Sequence, residues 1–204
     1  MQAIETTVIS RIYGHGRGWC FTPKNFADLG SAEAVRIALF RLVRKKTIRR
    51  LAIGLYDYPK EHEELGLLSP TPDAIAAALA YRDSVRIQPT GAYAANLLGL
   101  SEQVPARIVF LTDGAPRRVR FRNQEIVLRR TTPRNMATAG RISGTVIQAL
   151  RYIGKARVTS THRQTLMRRL SAAEKRQLLK DRFHVPGWMR PLLEEIGGEG
   201  KPHA

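Results

Sequence analysis

Residues 22–59 constrain this chain more than any other stretch. Thr22-Pro23 marks a helix start, because a threonine oxygen caps well and the fixed φ of proline suits the first helical position. The helix expected there is short, 23–29, and Gly30 turns the chain. Ser31 then caps a second helix, AEAVRIALFRLVRKK, in which Val35, Ala38, Leu39 and Leu42 form one apolar stripe. Glu33 sits where the helix dipole favours an anion, and Arg44-Lys45-Lys46 sits where it favours cations. TIRRLAIGLYDYP follows as two short strands with Gly54 at the bend. Upstream, 4–13 reads as a helix with Ile4, Val8, Ile9 and Ile12 on one side, and 19–21 as a short strand. This order, ending in a basic helix and a basic hairpin, reads as a winged helix-turn-helix, whose last helix enters the DNA major groove.

The charge balance agrees. The 204 residues hold 34 Lys and Arg against 17 Asp and Glu, a net +17. Such a chain seeks a polyanion, nucleic acid first, then an anionic membrane or an acidic protein. No apolar run approaches the roughly 20 residues of a membrane span. The first residues lack the basic start and apolar middle of a secretory signal. Cys20 is the only cysteine, so an intrachain disulfide is excluded, and a cytoplasmic protein is expected. The charge is uneven: +7 over residues 1–60, −4 over 61–116 and +15 over 117–182. Two basic blocks flank an acidic belt.

Four segments follow: a DNA-binding domain over 1–60, an acidic linker over 61–71, a mixed domain over 72–196 and a flexible tail over 197–204. Thr71-Pro72 opens an alanine-rich helix, Arg86–Gln88 is a short strand, and Gly91–Leu98 is another helix. RIVFLT, RRVRFR and EIVLRR predict a three-stranded antiparallel meander. Helices dominate from Ser143, one opened by a capping box at Ser171 and Glu174. The expected class is α+β: a winged helix-turn-helix followed by a mixed α/β domain with a small antiparallel sheet and C-terminal helices.

The DNA-facing candidates are Ser31, Ala32, Arg36, Arg41, Arg44, Lys45, Lys46, Arg49 and Arg50. Small residues at 31 and 32 let the helix start approach base edges. Arg36 is the base reader, since its fork grips guanine. The wing pair Arg49-Arg50 contacts phosphate or the minor groove and adds affinity more than sequence choice. Arg117, Arg118, Arg120, Arg122, Arg129 and Arg130 form a second basic surface, read equally well as a solvated sheet face. Catalytic patterns are missing. None of the five histidines forms a metal-ligand spacing, and the glycines at 14, 16 and 18 do not make a phosphate loop. The expectation is no enzyme, no metal and no cofactor.

AVRIALFRLVRKKTIRRLAIGLYDYP resembles the N-terminal winged helix of the AbiE-type (AbiEi-like, type IV toxin–antitoxin) antitoxins. IQPTGAYAANLLGLSEQVPARIVFLTDG, an arginine-rich β-segment and SGTVIQALRYIG resemble their second domain, so the likeness spans roughly 5–196. The resemblance implies a transcriptional autorepressor encoded beside a nucleotidyltransferase-like toxin, binding double-stranded DNA at promoter inverted repeats. It carries DNA-contact roles to Ser31, Arg36, Arg41, Arg44, Lys45, Arg49 and Arg50, with Arg41 equally suited to bracing the domain. It leaves open direct toxin contact, an orphan regulator without a toxin, and monomer or dimer. The residues alone also leave open a basic protein-interaction module that sequesters an acidic partner.

Overall fold

The computed structural model describes residues 2–198, an α+β structure. Of the tail expected over 197–204, residues 199–204 lie outside the described residues, while Gly197 ends the last helix and Gly198 is its left-handed cap. The chain divides into two compact units, residues 1–85 with 119–123, and residues 86–118 with 124–204.

In the first unit, α1 (Gln2–His15) and α2 (Ala32–Arg44) are joined through β1 (Cys20–Phe21) and a 3-10 turn, Pro23–Phe26. The turn stands where a seven-residue helix is expected. It is held from its start by Asn25, whose Oδ1 accepts from the Thr22 amide at 2.9 Å. Ser31 caps α2, its Oγ accepting from the Ala34 amide at 3.2 Å. Val35, Ala38, Leu39 and Leu42 pack with Val8, Ile12, Phe21, Phe26, Ile48 and Tyr56 into one core. β2 (Arg49–Ala52) and β3 (Leu55–Asp57) form an antiparallel hairpin, and β1 adds to β3, giving the order β1-β3-β2. Gly54 supplies the positive φ (68°) that the tight turn requires.

The acidic segment after Pro59 contains a small hairpin, β4 (Glu61–His62) with β5 (Gly66–Leu67). The helix beyond it, α3 (Pro72–Asp83), packs against β1 and belongs to the first unit. Thr71 caps α3 as its sequence predicts. Lys24 Nζ closes the other end, donating to the carbonyls of Tyr81 and Arg82 and to Ser84 Oγ.

A four-stranded sheet has the order β6-β7-β9-β8: β6 (Ile87–Pro89), β7 (Arg107–Thr112), β8 (Arg117–Phe121) and β9 (Gln124–Arg130). The antiparallel meander expected from the sequence is corrected here. β9, not β8, pairs with β7, and it does so in parallel, from Arg107↔Glu125 to Thr112↔Arg130. Burial explains the swap. Ile126, Val127 and Leu128 are three consecutive buried residues, the pattern of a central parallel strand covered on both faces. β8 buries no residue and takes the edge, where its arginines stay in water.

α4 (Gly91–Leu97), α5 (Ile142–Ile153), α6 (Ser160–Arg169), α7 (Ala172–Lys180) and α8 (Arg190–Gly197) share the second core, with Trp188 packed against it. α5 meets β6 through a buried polar layer. Gln88 is oriented so that its oxygen accepts from Thr145 N and Oγ1 (3.0 and 3.1 Å) and its nitrogen faces the Thr138 carbonyl (3.3 Å). Thr90 Oγ1 donates to Gln148 Oε1 at 3.0 Å. The QPTG motif is therefore a packing junction that fixes how the helix sits on the strand. Buried Asp181 closes the layer's far end, accepting from Arg141, Ser143 and Gln177.

Gly144 faces this layer, and a Cβ there collides with the Thr138 carbonyl and the Gln88 amide. Gly144→Ala is expected to lower unfolding free energy by about 2 kcal/mol, the usual scale for overpacking. Urea unfolding checks it, and an unchanged midpoint would show that the junction yields.

Candidate nucleic-acid interface

The buried stripe of α2 fixes what its other side presents. Positions 33, 36, 40 and 44 are exposed and follow one another at helical spacing. The Arg36 side chain is 71% exposed, with only a long 3.9 Å approach to Glu33. Phe40 is 60% exposed. Arg44 is exposed and has no ion pair among the described residues. An exposed phenylalanine between two exposed arginines is unusual for a solvated helix face, and the apolar stripe read from the sequence gives Phe40 no role. Its signal lies in the four-residue spacing of Arg36, Phe40 and Arg44. Ser31 and Ala32 are exposed at the helix start.

The remaining cations of this helix turn toward α1. Glu5 receives Lys45 at 2.5 Å and Arg41 at 3.7 Å. The hydrogen bond from Lys45, with help from Arg41, holds the Glu5 carboxyl below its usual range. Lys46 follows in a left-handed conformation (φ 58°), exposed at the exit of the helix.

The two arginines of β2 part company. Arg50 is exposed, with one weak bond to the Ala52 carbonyl at 3.4 Å. Arg49 is turned inward: Nε reaches Asp57 Oδ1 at 3.1 Å, and Nη2 reaches Asp57 Oδ2 at 2.6 Å and the Leu68 carbonyl at 2.7 Å. The Asp57 side chain is 1% exposed. The expected DNA contact from Arg49 is thereby corrected to a brace: its fork neutralises a buried carboxylate and ties β2 to the segment after β5. The periodicity of the strand could not show this, because Asp57 lies eight residues away.

Another bidentate pair, Arg11 with Asp28 at 2.6 and 2.7 Å, links α1 to the turn before α2. The Arg11 hydrogen bonds hold the Asp28 carboxyl at about 2.

On the second basic surface, Arg117, Arg118, Arg120 and Arg122 are all exposed. Glu125 draws in Arg118 at 3.4 Å and Arg107 at 3.3 Å. The Arg122 guanidinium lies 5.8 Å from the Phe121 ring. Arg129 and Arg130 are exposed at the end of β9, with no ion pair among the described residues.

A cavity of about 570 Å³ lies in the first unit, bounded by His15, Trp19, Cys20, Asn25, Tyr81 and alanines of α3. His15 stacks on Trp19 with ring centroids 3.8 Å apart. Burial pushes the Cys20 thiol up to about 12, so it stays protonated and unreactive near neutral pH. No cluster of three or more metal-ligating side chains occurs among the described residues, nor any helix long and apolar enough to cross a membrane.

Arg49→Ala leaves the Asp57 charge buried and unpaired. An expected loss of about 3 kcal/mol in stability, on the scale of broken buried pairs, should be largely recovered by adding Asp57→Asn. Chemical denaturation of the single and double variants checks it; equal losses in both would remove the bracing role.

Residues 7–178 match the model of a family described as being of unknown function, DUF6088. No curated protein matches the chain.

Proposed function

We propose that this chain, which belongs to the DUF6088 family, is a sequence-specific DNA-binding antitoxin and transcriptional autorepressor of a toxin–antitoxin or abortive-infection system. The observation that carries the DNA-binding part is the α2 stripe. Glu5 and Asp57 take Arg41, Lys45 and Arg49 as braces, and the unbraced Arg36 and Arg44 flank Phe40 on one exposed face. In this reading α1, the 23–26 turn and α2 make the helix-turn-helix, and β2–β3 is the wing. The antitoxin role rests on the resemblance to AbiE-type proteins, as do promoter inverted repeats and a nucleotidyltransferase-like toxin as partners. The reading includes a cytoplasmic location and no catalytic activity of its own.

The mechanism is promoter occlusion. α2 enters the major groove by its small-residue start, Ser31 and Ala32. Arg36 takes the O6 and N7 of a guanine. Phe40 lies one turn on, roughly 6 Å along the axis, and rests against a thymine methyl, the apolar feature of that groove. Arg44, Lys46 and Arg50 neutralise phosphates and make affinity fall with salt. The exposed arginines of β8 and β9 offer further phosphate contacts.

Fluorescence anisotropy tests the function on the DNA upstream of the chain's own gene beside a scrambled duplex, at two salt concentrations. A preference of about 100-fold or more is expected, with Arg36→Ala abolishing most of it. Equal binding to both duplexes would replace the operator reading with capture of an acidic partner by a general basic surface.

Substituting deoxyuridine for thymidine removes only the methyl groups. The operator so modified should bind the wild type several-fold more weakly, since burying one methyl-sized apolar group contributes about 0.8 kcal/mol. Phe40→Ala should bind both forms alike. An unmodified preference in the wild type removes Phe40 from base reading while leaving DNA binding itself intact.

A further inference from the structure

Arginines of intermediate exposure follow a rule in this protein, and one breaks it. Arg11, Arg49, Arg82, Arg163 and Arg182 are half-buried, and each faces a carboxylate: Asp28, Asp57, Asp83, Glu195 and Glu194. Arg151, in the last turn of α5, is half-buried too. It has no carboxylate partner among the described residues. Its Nη1 donates instead to Asn135 Oδ1 at 2.7 Å, and Asn135 Nδ2 donates to Thr131 Oγ1 at 2.9 Å.

The guanidinium is thus held in place by neutral groups. Burial pulls its pKa below the ordinary value, and the positive charge of neighbouring Arg134 does so further. A desolvated cation beside a like charge is unfavourable unless an anion joins it. The surroundings add more positive charge. Arg134 is exposed on the 3-10 turn Pro133–Met136, and Arg129 and Arg130 lead into that loop from β9, none with an ion pair among the described residues.

We infer that Arg151 and Arg134, with Asn135 as the positioning residue, form a binding site for a phosphate group. Arg151 is bonded to Asn135, and Arg134 precedes Asn135 on the same turn; a pair of guanidiniums so linked calls for an anion with several acceptor oxygens on one centre. Phosphate offers these in the spacing that a planar fork matches. Two carboxylates of this unit are committed to other cations, Asp181 to Arg141 and Glu125 to Arg107 and Arg118. The phosphate has two candidate sources, a nucleic-acid backbone or a free phosphate, and the site does not depend on α2 reading DNA.

The test is thermal unfolding of the full chain in potassium chloride and in potassium phosphate at matched ionic strength, with Arg151→Met and Arg134→Gln beside the wild type. Phosphate should raise the wild-type midpoint saturably, above any general salting effect seen in the variants. Arg151→Met should raise the midpoint in chloride, because it removes an uncompensated charge, and lose the phosphate response. Arg134 is exposed, so Arg134→Gln should change stability little; its half-saturating phosphate concentration should rise about tenfold, the equivalent of one charge-assisted bond. Anisotropy with a scrambled 12-base-pair duplex separates the sources. A several-fold affinity loss in both variants assigns the phosphate to a nucleic-acid backbone, and unchanged duplex binding assigns it to a free phosphate. The same phosphate response in wild type and both variants would overturn the site. So would a wild type that responds to neither phosphate nor duplex.

Discussion

Cations outnumber carboxylates two to one in this chain, 34 to 17, and the placement of the carboxylates organises the rest. Several buried or half-buried carboxylates select the arginines and lysines that become structural. Asp57 turns Arg49 into an internal strut between the β2–β3 hairpin and Leu68. Glu5 draws Lys45 and Arg41 onto α1. Glu125 holds Arg107 and Arg118, and Asp181 holds Arg141 beneath α5. Cations such as Arg44, Arg50, Arg129 and Arg130, which no carboxylate reaches among the described residues, face water, and they define the candidate surfaces by subtraction.

The same logic separates affinity from architecture. Truncating a paired arginine strands a carboxylate in low dielectric, so its first effect is on folding. Truncating Arg36, Arg44 or Arg50 leaves no such orphan, so effects there report on a partner. Arg151 stands between the two classes. It is half-buried, yet it carries no carboxylate among the described residues, which is why an external anion is proposed to complete the arrangement there.

Much of the first unit is legible in the sequence. The caps at Ser31 and Thr71 and the buried stripe of α2 follow from local chemistry and helical spacing, and the structure has them where those patterns put them. The helix expected over 23–29 is too long, because a threonine cap and proline start specify where a helix begins but not that Asn25 will hold it to a single 3-10 turn. The meander fails for a related reason. Alternation names strands, while the choice of neighbour depends on which strand can be buried on both faces; of β8 and β9, it is β9 with Ile126-Val127-Leu128 that can, which puts β9 beside β7 and β8 at the edge.

Local sequence was enough for the α+β class, the positions of most helices and their caps, and the concentration of positive charge in two blocks, since these depend on residues close together in the chain. Which arginines are free was settled by the fold alone. Arg49 and Arg50 are adjacent and chemically identical, and a carboxylate eight residues from Arg49 makes one a strut and leaves the other exposed. Arg151 reads as one more basic residue of a helical segment until the fold half-buries it, gives its guanidinium to Asn135 and leaves it without a carboxylate partner among the described residues. Those outcomes rest on long-range burial and pairing, which no local pattern encodes.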